Sequence, residues 1–237
     1  MPSKALKVFL NKRCKATEAL ADHFDTVNSR RGRNSHYSLL HGGLVLCVSS
    51  WEVYCEDVCR EVLTKVLERA TLKFDDIPEA VRNNILADAG TSFKTNGPPL
   101  TQNIAKLVGD GWKELHLSSV ETYLVDFNTP RFHRTKGKNL KQLFRNAFGI
   151  DMVKEIEDGL EWPDFCSEVD GIISLRGEIA HTGQVSREKS FESGEFREYV
   201  DTFRYAAAAI DYVLYKHCRE NYGFAPYQMT STITDWV

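Results

Sequence analysis

The sequence predicts an all-α protein, on three observations. Apolar residues recur at three- and four-residue spacing over most of the chain, and no stretch gives a set of alternating strands. The breaks between these stretches carry turn formers, as in "NSRRGRNS" and "FNTPRFHRTKGK". With 237 residues the chain is long enough to bury a core without disulfides or metal. We read it as a single domain over 1–237. Its core comprises about 4–71 and 137–221, with an inserted helical and loop region at about 72–135 and a C-terminal tail at 222–237.

The first helix is expected over 4–27, where Leu6, Phe9, Leu10, Ala16, Leu20 and Phe24 lie at helical spacing. A long helix follows from Ser35 to about Ala70, with Leu40, Leu44, Val48, Trp51, Val58 and Val62 as its apolar stripe. Gly42 and Gly43 are a cost inside it and mark a close helix contact or a kink. A short helix is opened by Asp75 or Asp76, with Pro78 in its first turn. "TSFKTNGPPLTQ" reads as a loop. Further helices are expected near 111–125, over 138–147, from Asp151, and from Trp162 to about His181. The loop "TGQVSREKSFESG" then leads to a final helix from about Glu195 to Asn221, whose Phe196, Phe203, Tyr205 and Tyr212 read as core or dimer surface.

A hydrophobic content of 42%, a charged content of 27% and a net charge of -3 are ordinary for a globular protein, and argue against coating nucleic acid by total charge. A local basic site stays compatible with them. No apolar run approaches the ~18 residues of a membrane helix. The basic start "MPSKALKVFLNKRCK" lacks the apolar core of a secretory signal. We therefore expect a cytoplasmic location and no membrane partner. Cys14, Cys47, Cys55, Cys59, Cys166 and Cys218 form no CxxC pair and no ligand cluster with histidines. They read as small buried thiols. No cofactor or metal is expected.

The stretch that carries chemistry is "GIISLRGEIAHTG", where Arg176 and His181 interrupt an apolar run that stops at Gly183. An imidazole, with an unperturbed pKa of about 6.5, gives and takes protons near neutrality. A guanidinium stays charged and its fork fits a phosphate. Together they suit RNA cleavage, in which the 2′-hydroxyl of the substrate is the nucleophile and no metal is needed. Five residues of helix are about 140° of rotation, so both side chains reach one cleft only if the cleft wraps the helix or the last turn frays. Two plainer readings stand beside this one. In these, His181 serves only the last carbonyls and the helix dipole, and Arg176 only pairs with a carboxylate. The same spacing recurs at Arg31 and His36.

The order of motifs adds context. "LVLCVSSWEVYCEDVCREVL" comes first, "FNTPRFHRTKGKNLKQLFRNAFGI" next, and "LRGEIAHTG" last, before the long closing helix. Over about 36–215 this order resembles the HEPN superfamily of small helical bundles, and most of all its RiboL-PSP-HEPN branch. The resemblance implies a metal-independent endoribonuclease acting on RNA as a homodimer. In such families the arginine and histidine of an R-x4-6-H motif face each other across the two-fold axis; carried over, these are Arg176 and His181. Many such proteins are toxins or act in defence against phage, which implies an antitoxin or defence-system protein as a partner. The expected products end in 2′,3′-cyclic phosphate.

One departure matters. The position after the motif arginine is often polar in these families, and here it is Gly177. That keeps open a second reading, a catalytically inactive helical module that binds RNA, nucleotide or a partner protein. Glu52 lies beside the apolar stripe of the long helix and reads as an ion pair or edge position, or as a cleft residue that meets Arg176. Glu56, one turn on, and Glu178, beside the motif but on another helix face, have less claim as supporting residues. Two basic segments could follow an RNA backbone: Arg30, Arg31 and Arg33, with Tyr37 to stack on a base, and Arg131 with Arg134. The plainer reading of each is a solvated loop.

Overall fold

Position 43 in the long helix must be small, because a Cβ there would stand 2.8 Å from Cζ of Phe196. That contact joins the N-terminal turns of the two longest described helices. The computed structural model describes residues 2–28, 37–94, 107–125, 131–132, 139–183 and 191–229, with no side-chain description for 28 and 91–94. The described residues contain helices and no strand. No helix among them is long and apolar enough to cross a membrane.

In chain order the α-helices are α1 (Lys4–Val8), α2 (Lys15–Asn28), α3 (Tyr37–Leu67), α4 (Glu79–Lys94), α5 (Gly111–Val125), α6 (Leu140–Phe148), α7 (Met152–Glu157), α8 (Phe165–Thr182) and α9 (Ser193–Tyr222). A π-helical stretch, Phe9–Cys14, joins α1 to α2, and a short 3-10 turn, Phe74–Asp76, precedes α4. α3 is the central element and packs against α2, α5, α6, α8 and α9. Its buried residues run almost all round it, from Leu40 through Trp51 and Tyr54 to Leu67. Trp51 stacks on Tyr54 and lies 5.2 Å from the ring of Phe203 on α9.

The single first helix expected over 4–27 is instead broken by the π stretch, and this changes which residues are buried. Beyond Phe9 the buried positions are Cys14, Thr17, Ala21 and Phe24, while Ala16 is exposed and Leu20 only half-buried. The i→i+5 geometry inserts one extra residue per turn, so the inward stripe moves on by one. Spacing alone, counted at 3.6 residues per turn, misses that shift.

Residues 72–135, expected as an insertion, contribute to the same core. α4 and α5 pack on each other and on α6, and Val81, Ile85, Trp112, Val120, Leu124 and Phe132 are buried in one cluster with α3. In the stretch expected as a tail, Tyr227 is buried and its hydroxyl donates to the Asp211 carbonyl at 2.6 Å. The remaining helices begin and end close to their expected bounds. Asn139 and Asp151 accept N-cap bonds from Gln142 and Lys154, and Gly149, Gly183 and Gly223 close α6, α8 and α9 in the left-handed conformation. All six cysteines are buried and none forms a disulfide; burial pushes the thiols of Cys14, Cys47, Cys55, Cys59 and Cys218 up, Cys14 to about 11.

α1 is short and depends on carboxylates from its neighbours. Asp211 of α9 accepts from the Ser3 N–H at 3.0 Å and the Ser3 hydroxyl at 2.6 Å, while Glu61 of α3 accepts from the Lys4 and Ala5 N–H groups. Burial pushes Asp211 up to about 7, against the pull of its Ser3 donors. A folded-state value above the ordinary one means that folding favours the protonated form. The associated stability is complete below about pH 4 and is lost as pH rises through about 7. Unfolding titrations of wild type and Asp211→Asn should therefore give a difference that is flat at low pH and moves in favour of the Asn variant up to about pH 7.

The two adjacent glycines of α3 give opposite expectations. Gly42 faces open space and Gly43 faces Phe196. Gly42→Ala should stabilise by roughly 1 kcal/mol through helix propensity. Gly43→Ala should cost about 1–3 kcal/mol because a buried ring must move. Urea unfolding of the two variants checks both signs.

Candidate active site

α8 sets the site by its register. Val169, Ile172, Ile173 and Ile179 are buried and form the stripe that faces the core, and α8 packs on α3. Arg176 falls on that stripe, seven residues after Val169 and three after Ile173. The guanidinium is therefore drawn half into the protein at the seam between α8 and α3. Its Nε is buried without a hydrogen-bond partner, and no ion pair reaches Arg176 among the described residues.

His181 is exposed near the end of α8. The last turn does not fray. The Thr182 hydroxyl donates to the Glu178 carbonyl at 2.7 Å, and the Gly183 N–H donates to the Ile179 carbonyl at 2.8 Å. With α8 helical through Thr182, Arg176 and His181 stay about 140° apart around the axis. Within one chain they are presented on different faces and do not meet.

Glu52 is the carboxylate closest in effect to Arg176. It is half-buried on α3, and burial raises its pKa, helped by the charge of Glu56, while Arg176 pulls it down. Glu52 thus feels the charge of Arg176, and no ion pair joins the two. Glu56 is held elsewhere, with its Oε2 3.2 Å from Arg60 Nη1. Arg60 Nε in turn meets both carboxylate oxygens of Glu121 on α5 at 3.1 Å. Burial raises Glu56 as well, against the pull of Arg60. Glu178 is half-buried beside the motif and its carbonyl accepts from Thr182.

The basic segments divide. Arg30, Arg31, Arg33 and Arg134 lie outside the described residues, as does His36. Tyr37 opens α3 with its ring 5.6 Å from Phe24 and its hydroxyl donating to Glu192 at 2.8 Å, contacts within the fold that hold the ring. Arg131 is brought to the site: a Cβ placed on Gly177 would stand 3.8 Å from its Nη2. The sequence names both residues but does not pair them, since they lie 46 positions apart. Only the apolar Phe132 beside Arg131, which buries against Phe165 of α8 at 4.8 Å, hints that the segment docks there. Among the described residues no group of three or more His, Cys, Asp and Glu side chains is placed to hold a metal ion.

Chemically, the arrangement offers an uncompensated cation at a helix seam, a carboxylate in its field, and a solvent-facing imidazole one and a half turns further along. The sequence model of the RiboL-PSP-HEPN family matches residues 9–216, from the π stretch to the last turns of α9 and including the whole motif helix. No curated protein and no solved structure gives a match. An all-helical bundle around α3, with the Arg176–His181 motif closing a helix packed against it and a family match over most of its length, identifies the chain as a member of the RiboL-PSP-HEPN family.

Proposed function

We propose that the protein is a metal-independent endoribonuclease that acts as a homodimer. The observation that carries this reading is the state of Arg176: a half-buried guanidinium whose Nε has no partner, on the helix that exposes His181. A buried donor without an acceptor is costly, and a phosphate oxygen is the ligand that such a fork fits. Arg176 would hold the scissile phosphate and the charge that builds on it. The 2′-oxygen attacks phosphorus and the 5′-oxygen leaves, giving a 2′,3′-cyclic phosphate and a 5′-hydroxyl. His181 would move the proton, from the 2′-hydroxyl or to the departing oxygen. Because one helix cannot turn both groups to one phosphate, the reading requires a second copy of the chain to supply the opposing half. Glu52 would position Arg176 through its field.

The role rests on the family resemblance: many HEPN proteins are toxins or act in defence against phage, and this one would do the same, restrained by an antitoxin or a defence-system partner. A second reading is a helical module that binds RNA, nucleotide or a protein without cutting. The separation of Arg176 from His181 within the chain and the bare position at Gly177 favour it.

Replacing His181 by alanine separates the two. Cleavage of a mixed-sequence RNA oligonucleotide should fall by about 10²–10⁴-fold. The helical circular dichroism should not change, because His181 is exposed. Arg176→Ala should lose a similar factor. In cells, overexpression should be toxic for the wild type and not for either variant. A His181→Ala variant that cuts at the wild-type rate would remove the assignment; a wild type that binds RNA and cuts nothing would establish the module.

A further inference from the structure

The geometry points to Arg131 as a second phosphate-holding residue of this site, one that takes the place a side chain at position 177 would occupy. The assignment rests on reading the Arg176–His181 end of α8 as an RNA site, and concerns which residues hold the strand there.

Position along the helix is the first argument. Gly177 lies about 100° around α8 from Arg176, and His181 lies about 140° from it in the same sense. The Arg131 guanidinium stands over Gly177. It therefore sits in the angular gap between the two motif residues and carries positive charge from the half-buried arginine toward the exposed histidine. A side chain at 177 longer than alanine would run into it.

The segment is also held in place. The Leu140 N–H, at the start of α6, donates to the Arg131 carbonyl at 2.8 Å. The next residue donates its N–H to Oδ1 of Asp170 on α8 at 2.8 Å and buries its ring against Phe165. Arg131 is thus tied through its carbonyl to the start of α6 and through the next residue to α8. Such anchoring lowers the entropy lost when the guanidinium grips a ligand.

The third argument is charge. Arg131 Nε, like Arg176 Nε, is buried without a hydrogen-bond partner. No carboxylate lies within ion-pair distance of either guanidinium among the described residues, which leaves two cations on α8 and its flank, each with a buried donor to spare. An anion with several acceptor oxygens completes this arrangement. The spread of the charge along α8 suits successive phosphates of one RNA strand, the scissile one on Arg176 and its neighbour on Arg131.

The test is binding and cleavage by the full chain, using a fluorescein-labelled 2′-O-methyl RNA oligonucleotide of mixed sequence as the binding probe and its unmodified counterpart as the substrate. Arg131→Ala should weaken binding about tenfold and flatten the dependence of log K on log salt by about 0.7, the loss of one phosphate contact on a single strand. Arg131→Lys should recover most of the salt slope. Gly177→Leu should weaken binding to a similar degree, and the double variant Arg131→Ala, Gly177→Leu should be little worse than either single one. Unchanged affinity and slope in Arg131→Ala would overturn the inference while leaving the ribonuclease reading intact if the unmodified RNA is still cut. Additive losses in the double variant would overturn the link to Gly177. A wild type that binds with this Arg131 dependence and cuts nothing would sustain the inference and sink the ribonuclease. A wild type that binds no RNA would sink both.

Discussion

The packing of α8 on α3 is the constraint from which the site follows. Val169, Ile172, Ile173 and Ile179 must face the core, and an unbroken helix then leaves no choice about the rest. Arg176 is turned inward along the same stripe, Gly177 is turned to the flank where Arg131 lies, and His181 is turned out to solvent. Because the Gly183 cap keeps the last turn helical, the two motif residues cannot converge by local fraying. A chain with this register either uses the two groups separately or completes them with a twin. The proposed dimer answers this separation by letting a twin supply the opposing group.

The charge pattern of the rest of the molecule gives this arrangement its meaning. Arg13, Arg60, Arg197 and Arg204 each have a carboxylate within 3.2 Å: Asp57, Glu56 and Glu121, Asp22 and Asp25, and Glu18 and Asp201. The fold thus pairs these arginines where they serve only to tie helices together. At Arg176 and Arg131 it buries Nε and supplies no such partner. Glu52 lies in the field of Arg176 without bonding to it, its pKa raised by burial and by Glu56 and pulled down by Arg176. A structural ion pair would have been built differently, as Arg60 and Glu121 illustrate between α3 and α5.

Much of this could be read from the amino acids. The stripe of α3, the stop at Gly183 and the capping asparagine and aspartate of α6 and α7 are local signals, and the structure places them where spacing puts them. The π stretch was invisible because Phe9 and Leu10 fit a regular helix equally well, and the extra residue shows itself only through Cys14, Thr17 and Ala21 turning inward. Tyr227 gave no periodic signal, being a single residue that finds the Asp211 carbonyl after the last helix has ended. At the site, Arg176, His181 and Glu52 stood out as polar residues on or beside apolar stripes. The contact of Arg131 with Gly177 did not, because it joins two segments through the tertiary fold and a glycine carries no pattern of its own.

The central claim, that one copy of the chain supplies the arginine and another the histidine of a single cleft, is tested most directly by complementation. Purified Arg176→Ala and His181→Ala proteins, each inactive alone, are mixed under conditions that exchange subunits, and cleavage of an RNA oligonucleotide is followed. The account predicts that the mixture recovers a substantial part of wild-type activity, since a mixed dimer contains one cleft with both groups intact. A mixture that exchanges subunits and stays inactive, beside a wild type that cuts, would contradict it.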